Sequence, residues 1–275
     1  MNKLSVDLHT HTTYSHDGQN TPAEMLACAQ KQGVAFYGVT DHFDYDYDVS
    51  LMDEAEYKRT RNGDEEEYFH ALRHLQEDYA GVMNVLVGAE FGYSDKTEVQ
   101  GRYALTYEKY RPDYVINSVH SMGGLDLACK NITQSKEEIY KEYLQVIRNS
   151  LDAPYHYDIV GHIGYAARYV PFENKDFDLD IFGEQIDDIL TTMIKKDKIL
   201  EINSASKQLP NHTLPADYIV ERYYQLGGRK VSFGSDSHFT ARIGEKWDEV
   251  IAMLKRIGFT YLTVPCRGEH IKVEI

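Results

Sequence analysis

The residues of this chain best suited to chemistry are histidines and carboxylates in short clusters, and the first cluster is Asp7-Leu8-His9-Thr10-His11. Alternate residues of an extended strand project to the same side, so His9 and His11 present two imidazoles to one point in space. Imidazole is the commonest nitrogen ligand for zinc, iron and manganese. The apolar flank Leu4, Val6 and Leu8 keeps the strand buried up to the pair. Two histidines two apart also occur as a solvated or hydrogen-bonded pair, so a metal reading needs further ligands. Candidates follow in His42 of Asp41-His42, Glu90 of Gly88-Ala89-Glu90, His120, His162 after Gly161, and Asp236 and His238 of Gly234-Ser235-Asp236-Ser237-His238. Each has an ordinary reading when taken alone: His162 as a packed histidine, Glu90 as a solvated strand-end carboxylate, Asp41 as a cap or turn residue.

The elements that must position these residues decide between the readings. Strand signals fall at Leu4 to Leu8, Ala35 to Thr40, Val82 to Val87, Tyr114 to Val119, Asp158 to Val160, Ile199 to Ile202 and Val231 to Phe233. Helices are predicted between them. The first is opened by Thr21-Pro22-Ala23-Glu24 and stopped by Gly33, and another is opened by the capping box of Ser135 and Glu138. The others span Glu65 to Tyr79, Glu98 to Tyr110, Ile181 to Lys196, Ala216 to Leu226 and Trp247 to Ile257. Asp44 to Asn62 lacks clear periodicity and reads as an ordered loop or short helix over the site.

This alternation predicts an α/β fold with a parallel sheet, and seven or so units without a break favour a distorted (β/α)7, TIM-like barrel over an open sheet. His9, His11, His42, Glu90, His120, His162, Asp236 and His238 all fall at or just past the carboxyl end of a predicted strand, where barrel enzymes build their sites. Their joint placement points to one metal centre. His70, His74, His156, His212 and His270 fall in predicted helices or loops and read as surface or structural.

A chain of 275 residues suffices for one large domain. A single unit over 1–275 is expected, with a possible hairpin at about 260–275. The 29 basic against 44 acidic residues give a formal charge of −15, which argues against nucleic acid or an anionic membrane as partner. A small phosphorylated substrate remains compatible, because bound divalent cations invert the local field. Cys28, Cys129 and Cys266 are few and far apart, which predicts reduced thiols and a cytoplasmic location. No apolar run reaches the length of a membrane span, and the first residues do not read as a leader.

At these residues the chain resembles the polymerase and histidinol phosphatase (PHP) family. The matching motifs are Asp-Leu-His-Thr-His-Thr at 7–12, Ser-His-Asp-Gly at 15–18, Thr-Asp-His at 40–42, the Glu of Gly-Ala-Glu at 88–90, Ser-Val-His at 118–120, Gly-His at 161–162 and Gly-Ser-Asp-Ser-His at 234–238. The resemblance implies a distorted seven-stranded β/α barrel with two or three divalent ions. One would be held by His9, His11, Glu90 and Asp236. A second would share Glu90 and add His120 and His162, and a third would use Asp17, His42 and His238. Where Asp17 stands the family often has His, and neighbouring His16 is the alternative; Asp17 has the matching spacing. Mixed nitrogen and oxygen ligands fit zinc, manganese or iron alike.

The phrase Val-His-Ser-Met-Gly-Gly and the Gly-His segment followed by Arg168 resemble the histidinol-phosphate phosphatases of that family. Arg168, Lys207 after Glu201-Ile202-Asn203, and Arg242 are the candidate phosphate-binding cations, with ordinary surface cations as the alternative reading. The implied reaction is phosphomonoester hydrolysis by metal-activated water. Glu90 would bridge two ions, and Asp236 or His238, or else water, would protonate the leaving alkoxide. A phosphodiesterase or exonuclease, a protein-tyrosine phosphatase and a non-catalytic metal-binding regulator are the competing readings.

Overall fold

The computed structural model describes residues 4–47, 63–128, 130–206, 209 and 213–275. A parallel sheet runs through β1 (Val6–Asp7), β2 (Phe36–Val39), β3 (His42–Phe43), β4 (Asn84–Gly92) and β5 (Tyr114–Ser118). After the small hairpin β6 (Ser121–Met122) and β7 (Leu125–Asp126), it continues through β8 (Ile159–Val160), β9 (Ile199–Asn203) and β10 (Val231–Gly234). The spatial order is β1-β2-β4-β5-β8-β9-β10, with β3 added beside β4. The two ends of this path meet. Leu8 donates to Phe233 O (3.0 Å), Asp236 to His9 O (2.8 Å) and His11 to Ser237 O (2.8 Å), so the sheet nearly closes into a barrel. β11 (Tyr261–Cys266) and β12 (Glu269–Glu274) pair antiparallel after the last helix.

Seven α-helices among the described residues cover the sheet, from Pro22–Gln32 to Trp247–Ile257. Their starts follow local chemistry. Thr21 with Glu24, and Ser135 with Glu138, form reciprocal capping boxes, and Gly33 ends the first helix at φ 77°. No described helix is long and apolar enough to cross a membrane. Strands shielded on both faces read as apolar runs: every residue of β5 and β9 is buried, and so is β4 beyond Asn84.

One boundary differs from the sequence expectation in a way that matters. The strand expected over Val82 to Val87 runs instead from Asn84 to Gly92. Val82 and Met83 belong to a turn, donating to Tyr79 O at 2.9 and 3.2 Å. Gly88 does not end the strand, which runs on to Gly92; β4 changes its partner on one side from β2 to β3 there, while β5 pairs with Gly88–Gly92 on the other. Glu90 therefore sits inside the ladder, opposite His42 and Ile116, held more rigidly than a residue past a strand end. Of the expected loop 44–62, only residues 44–47 are described; 48–62 lie outside the described residues.

At the amino ends of the strands one buried carboxylate ties several elements together. Asp113, just before β5, accepts from Val87 N (2.8 Å), Gln76 Nε2 (2.7 Å), Arg73 Nη1 (2.8 Å) and Arg267 Nε (2.7 Å). Arg267 lies in the turn of the terminal hairpin, so this cluster clamps the hairpin to the barrel floor.

Candidate active site

β1 delivers His9 and His11, both fully buried, at its carboxyl end. The loop that follows is shaped by Asp41, which accepts from Thr12 N (2.7 Å), Thr12 Oγ1 (2.8 Å), Ser15 N (2.9 Å) and Ser15 Oγ (2.6 Å). Asp41 is thus an organiser of the ligand loop, in keeping with its reading as a turn residue. With its own proton on Asp41, the Ser15 hydroxyl accepts from His11 Nδ1 (3.0 Å), which turns the Nε2 lone pair of His11 toward the centre.

The same device recurs at two more histidines. His9 Nδ1 donates to Glu201 Oε1 (2.5 Å), and His120 Nδ1 donates to Asp44 Oδ1 (2.9 Å). Both rings therefore point Nε2 at Glu90. His9 Nε2 lies 3.3 Å and His11 Nε2 3.6 Å from Glu90 Oε2, while His120 Nε2 (3.0 Å) and His162 Nε2 (2.9 Å) face Oε1. Ser118 Oγ donates to Oε1 at 2.6 Å. His42 Nδ1 is 2.8 Å from Oε2, and its Nε2 faces Asp17 Oδ1 at 3.8 Å. Asp236 Oδ1 lies 3.4 Å from His11 Nε2 and 3.6 Å from His238 Nδ1, and His238 Nε2 lies 3.1 Å from Asp17 Oδ2.

These contacts bring His9, His11, Asp17, His42, Glu90, His120, His162, Asp236 and His238 into one cluster. Three groups in it have ligand atoms within 4.8 Å of one another: His11, His42 and His238; His9, His11 and Glu90; and His42, Glu90 and His120. Glu90 Oε2, His9 Nε2, His11 Nε2, His42 Nδ1 and His238 Nε2 are buried without a hydrogen bond of acceptable geometry. Buried polar atoms are rarely left so, and lone pairs converging on one another suit a cation better than any protein donor. The donor set fits divalent metal ions. His16 stacks on His42 with ring centroids 5.6 Å apart, whereas Asp17 reaches both His42 and His238.

Electrostatics agree with a site built for positive charge. Burial opposes ionisation of Glu90, but the imidazoles of His9, His120 and His42 outweigh it and hold the carboxyl well below the usual carboxylate range. At Asp236 burial is likewise overcome, by His11, His9 and Arg168. Burial pushes His16 down to about 4, while the surrounding carboxylates, Glu90 first, lift His42 to about 9 against its burial.

The three candidate cations part company. Arg168, on a short 3-10 turn after β8, is no surface residue: it is 2% exposed and donates from Nη2 to Asp236 Oδ2 (3.2 Å) and to Ala205 O. Its Nε is buried with no partner. Arg242 is engaged by Glu245 (Nε to Oε2, 2.6 Å) and does not line the cavity over the cluster. Lys207 lies outside the described residues.

That cavity, of about 150 Å3, is lined by Arg168 and residues of the cluster together with Tyr47, Asp126, Tyr165 and Tyr169, and Arg168 lies over the Tyr165 ring at 5.1 Å. Asp44, Asp126 and Glu201 are the site carboxylates that the sequence reading did not single out as such. Asp44 carried a signal, standing two residues beyond His42 in extended chain, and so did Glu201, a charge inside the apolar run Ile-Leu-Glu-Ile. Asp126 carried none.

The PHP domain family model matches residues 7–205. The chain belongs to the PHP family. Asp236 and His238 lie beyond the matched span, and closure of the barrel brings them to His9 and His11 at the end of β1. A probable histidinol-phosphatase of Clostridium acetobutylicum is 28% identical over 255 residues, 91% of this chain and 92% of its own length. Another, of Thermotoga maritima, is 29% identical over 259 residues, 94% of this chain and 95% of its own. The fold matches the crystal structure of histidinol phosphate phosphatase from Lactococcus lactis in complex with zinc, L-histidinol and phosphate, at TM-score 0.83 and 23% identity over 98% of this chain and 99% of that one. The barrel is thus a PHP barrel, and the chain is a metal-dependent phosphoesterase.

Proposed function

We propose that this PHP protein is a histidinol-phosphate phosphatase, converting L-histidinol phosphate and water to L-histidinol and phosphate in histidine biosynthesis, with two or three divalent ions (zinc, manganese or iron) in the cluster. The observation that carries the reading is the cavity itself, lined at once by clustered cation ligands, a buried arginine, the Asp126 carboxylate and three tyrosines. A phosphate monoester with a positively charged leaving group suits that mixed lining. Asp126 supports this, since its hydrogen bonds come from the neutral donors Tyr47 Oη (2.8 Å) and Ala128 N (2.6 Å), and burial raises its carboxyl despite the opposing pull of His120, so a cationic leaving group would add to its partners. The names of relatives matched over more than nine-tenths of their length point the same way.

Bound divalent ions supply an activated water and neutralise charge on the phosphoryl oxygens. Arg168, whose Nε has no other partner, donates to a phosphoryl oxygen, and its bond to Asp236 fixes the fork. Asp236 stays ionised between Arg168 and His11, so it orients groups and does not donate a proton; with Nδ1 of His238 on the Asp236 carbonyl (2.9 Å) and its Nε2 facing the cluster, solvent returns the proton to the alkoxide. The protein is taken as a single unit over 1–275, acting in the cytoplasm on a small phosphorylated substrate, without nucleic acid or membrane as partner.

The test is metal analysis of purified protein coupled to phosphate release from a substrate panel. Histidinol phosphate should be hydrolysed well ahead of phosphotyrosine, neutral sugar phosphates and dinucleotides. Equal or better turnover of dinucleotides would replace this reading with a phosphodiesterase, and metal-replete protein inert on every ester would favour the regulatory alternative.

A further inference from the structure

Two strand glycines stand where a side chain would be expected. Gly92, the last residue of β4, is paired with Ser118, and Gly234, the last residue of β10, with Asn203, ladder positions that ordinarily favour β-branched or aromatic residues. Neither has a positive φ, so the backbone does not require glycine at either place. What each does require is space. A Cβ at Gly92 would lie 1.6 Å from Asp44 Oδ1 and 2.8 Å from its Cγ. A Cβ at Gly234 would lie 2.3 Å from Glu201 Oε1 and 2.6 Å from His9 Cβ. Those two oxygens are the ones that receive Nδ1 of His120 and of His9.

We propose that Gly92 and Gly234 are positioning residues, sockets that seat the Asp44 and Glu201 carboxylates behind His120 and His9 and so fix the direction of two metal-facing nitrogens. The proposal rests on the metal reading of the cluster. Each carboxylate holds its ring in the tautomer that keeps hydrogen on Nδ1 and leaves Nε2 as an electron-pair donor toward Glu90. Glu201 does this twice over, because its Oε2 also accepts from the backbone N–H of His162 at 2.5 Å. A methyl group at either glycine would push the carboxylate out of line with its histidine while removing no ligand.

The test is a pair of double-mutant cycles read as zinc affinity by chelator competition and as metal per chain, with the fold followed by circular dichroism. Wild type, Gly92→Ala, Asp44→Ala and the double variant form one cycle; Gly234→Ala, Glu201→Ala and their double variant form the other. Each single variant should weaken one class of bound zinc about 10- to 100-fold, the scale known for groups that orient metal ligands. Within the Gly92 pair the second substitution should add nothing, because without the carboxylate the glycine has nothing to seat; within the Gly234 pair the losses should be less than additive, because an added methyl there still meets His9 Cβ. Across pairs, as in Gly92→Ala with Glu201→Ala, the losses should add. Additive losses within a pair, or wild-type affinity in both glycine variants, would overturn the proposal. Should Gly92→Ala fail to fold, a folded Asp44→Ala/Gly92→Ala protein matching Asp44→Ala supports the socket, and an unfolded one overturns it. Wild-type protein holding no divalent ion after supplementation would instead overturn the metal reading, and this proposal with it.

Discussion

Glu90 and Asp113 are buried carboxylates associated with neighbouring strands, and they are completed in opposite ways. At the floor of the barrel the chain supplies all that Asp113 needs: two guanidinium groups, one amide and one backbone N–H. At the opposite end Glu90 receives one hydroxyl on Oε1, while Oε2 has no hydrogen bond and faces imidazole nitrogens as unsatisfied as itself. A buried charge is tolerated when its partners are present. At the floor those partners are covalently part of the chain, and in the site they are left to come from solution. The difference separates a group kept for folding from one kept for chemistry.

The sharpest way to break this contrast is to remove the charge at Glu90. Glu90→Gln keeps the shape but offers a single neutral acceptor oxygen, so it should weaken two ions together and cut turnover by at least about a hundredfold, while the barrel stays folded. Full metal content with near-normal turnover would remove Glu90 from the bridging position. Arg168→Ala comes next. Losing one charged donor to phosphate should lower kcat/KM about 10- to 100-fold, chiefly through KM, with metal content retained.

Asp113→Asn should invert the pattern, leaving metal content and turnover per folded molecule intact while costing about 1–3 kcal/mol of stability, visible as a lower Tm. Its partners Arg73 and Arg267 are part-exposed, at 28% and 65%, which places the cost toward the lower end. The sign with pH is definite. Burial raises the Asp113 carboxyl, but Val87 N–H, Arg73 and Arg267 outweigh it and the net shift is downward from 3.8. Its stabilisation is therefore present above that value and lost as pH falls below it, so Asp113→Asn should show a flatter acid limb in denaturation measured against pH. Smallest of all, His70→Ala, on the exposed face of the helix Glu65–Asp78, should shift stability by no more than about 0.5 kcal/mol and leave activity unchanged.

Those expectations also mark how far the sequence could be read. Capping boxes, the glycine stop at 33 and apolar strand runs are local signals, and the elements they announce are present. The residues of the histidine and carboxylate cluster were visible because strand ends face one way in a barrel, so their common position carries information without knowledge of contacts. The supporting groups were not visible for the complementary reason. Glu201 meets His9 across 192 positions and Asp44 meets His120 across 76, and no periodicity encodes such pairings. The extent of β4 differs because glycine reads as an end signal, whereas Gly88 inside the strand gives way to the Thr40 and Tyr114 side chains. Arg168 looked like any cation after a strand; only packing shows it buried.

Closure of the barrel sets an order on how this protein is made. His9 and His11 are synthesised well before Phe233, Asp236 and Ser237, whose backbone groups seal β1. Until then one edge of β1 lacks its neighbour, a hazard limited by the strand's length of two residues. Asp236 and His238 come with the same later segment, so a chain that has not reached it holds only part of the cluster. The full set of histidines and carboxylates thus comes together only when the barrel closes.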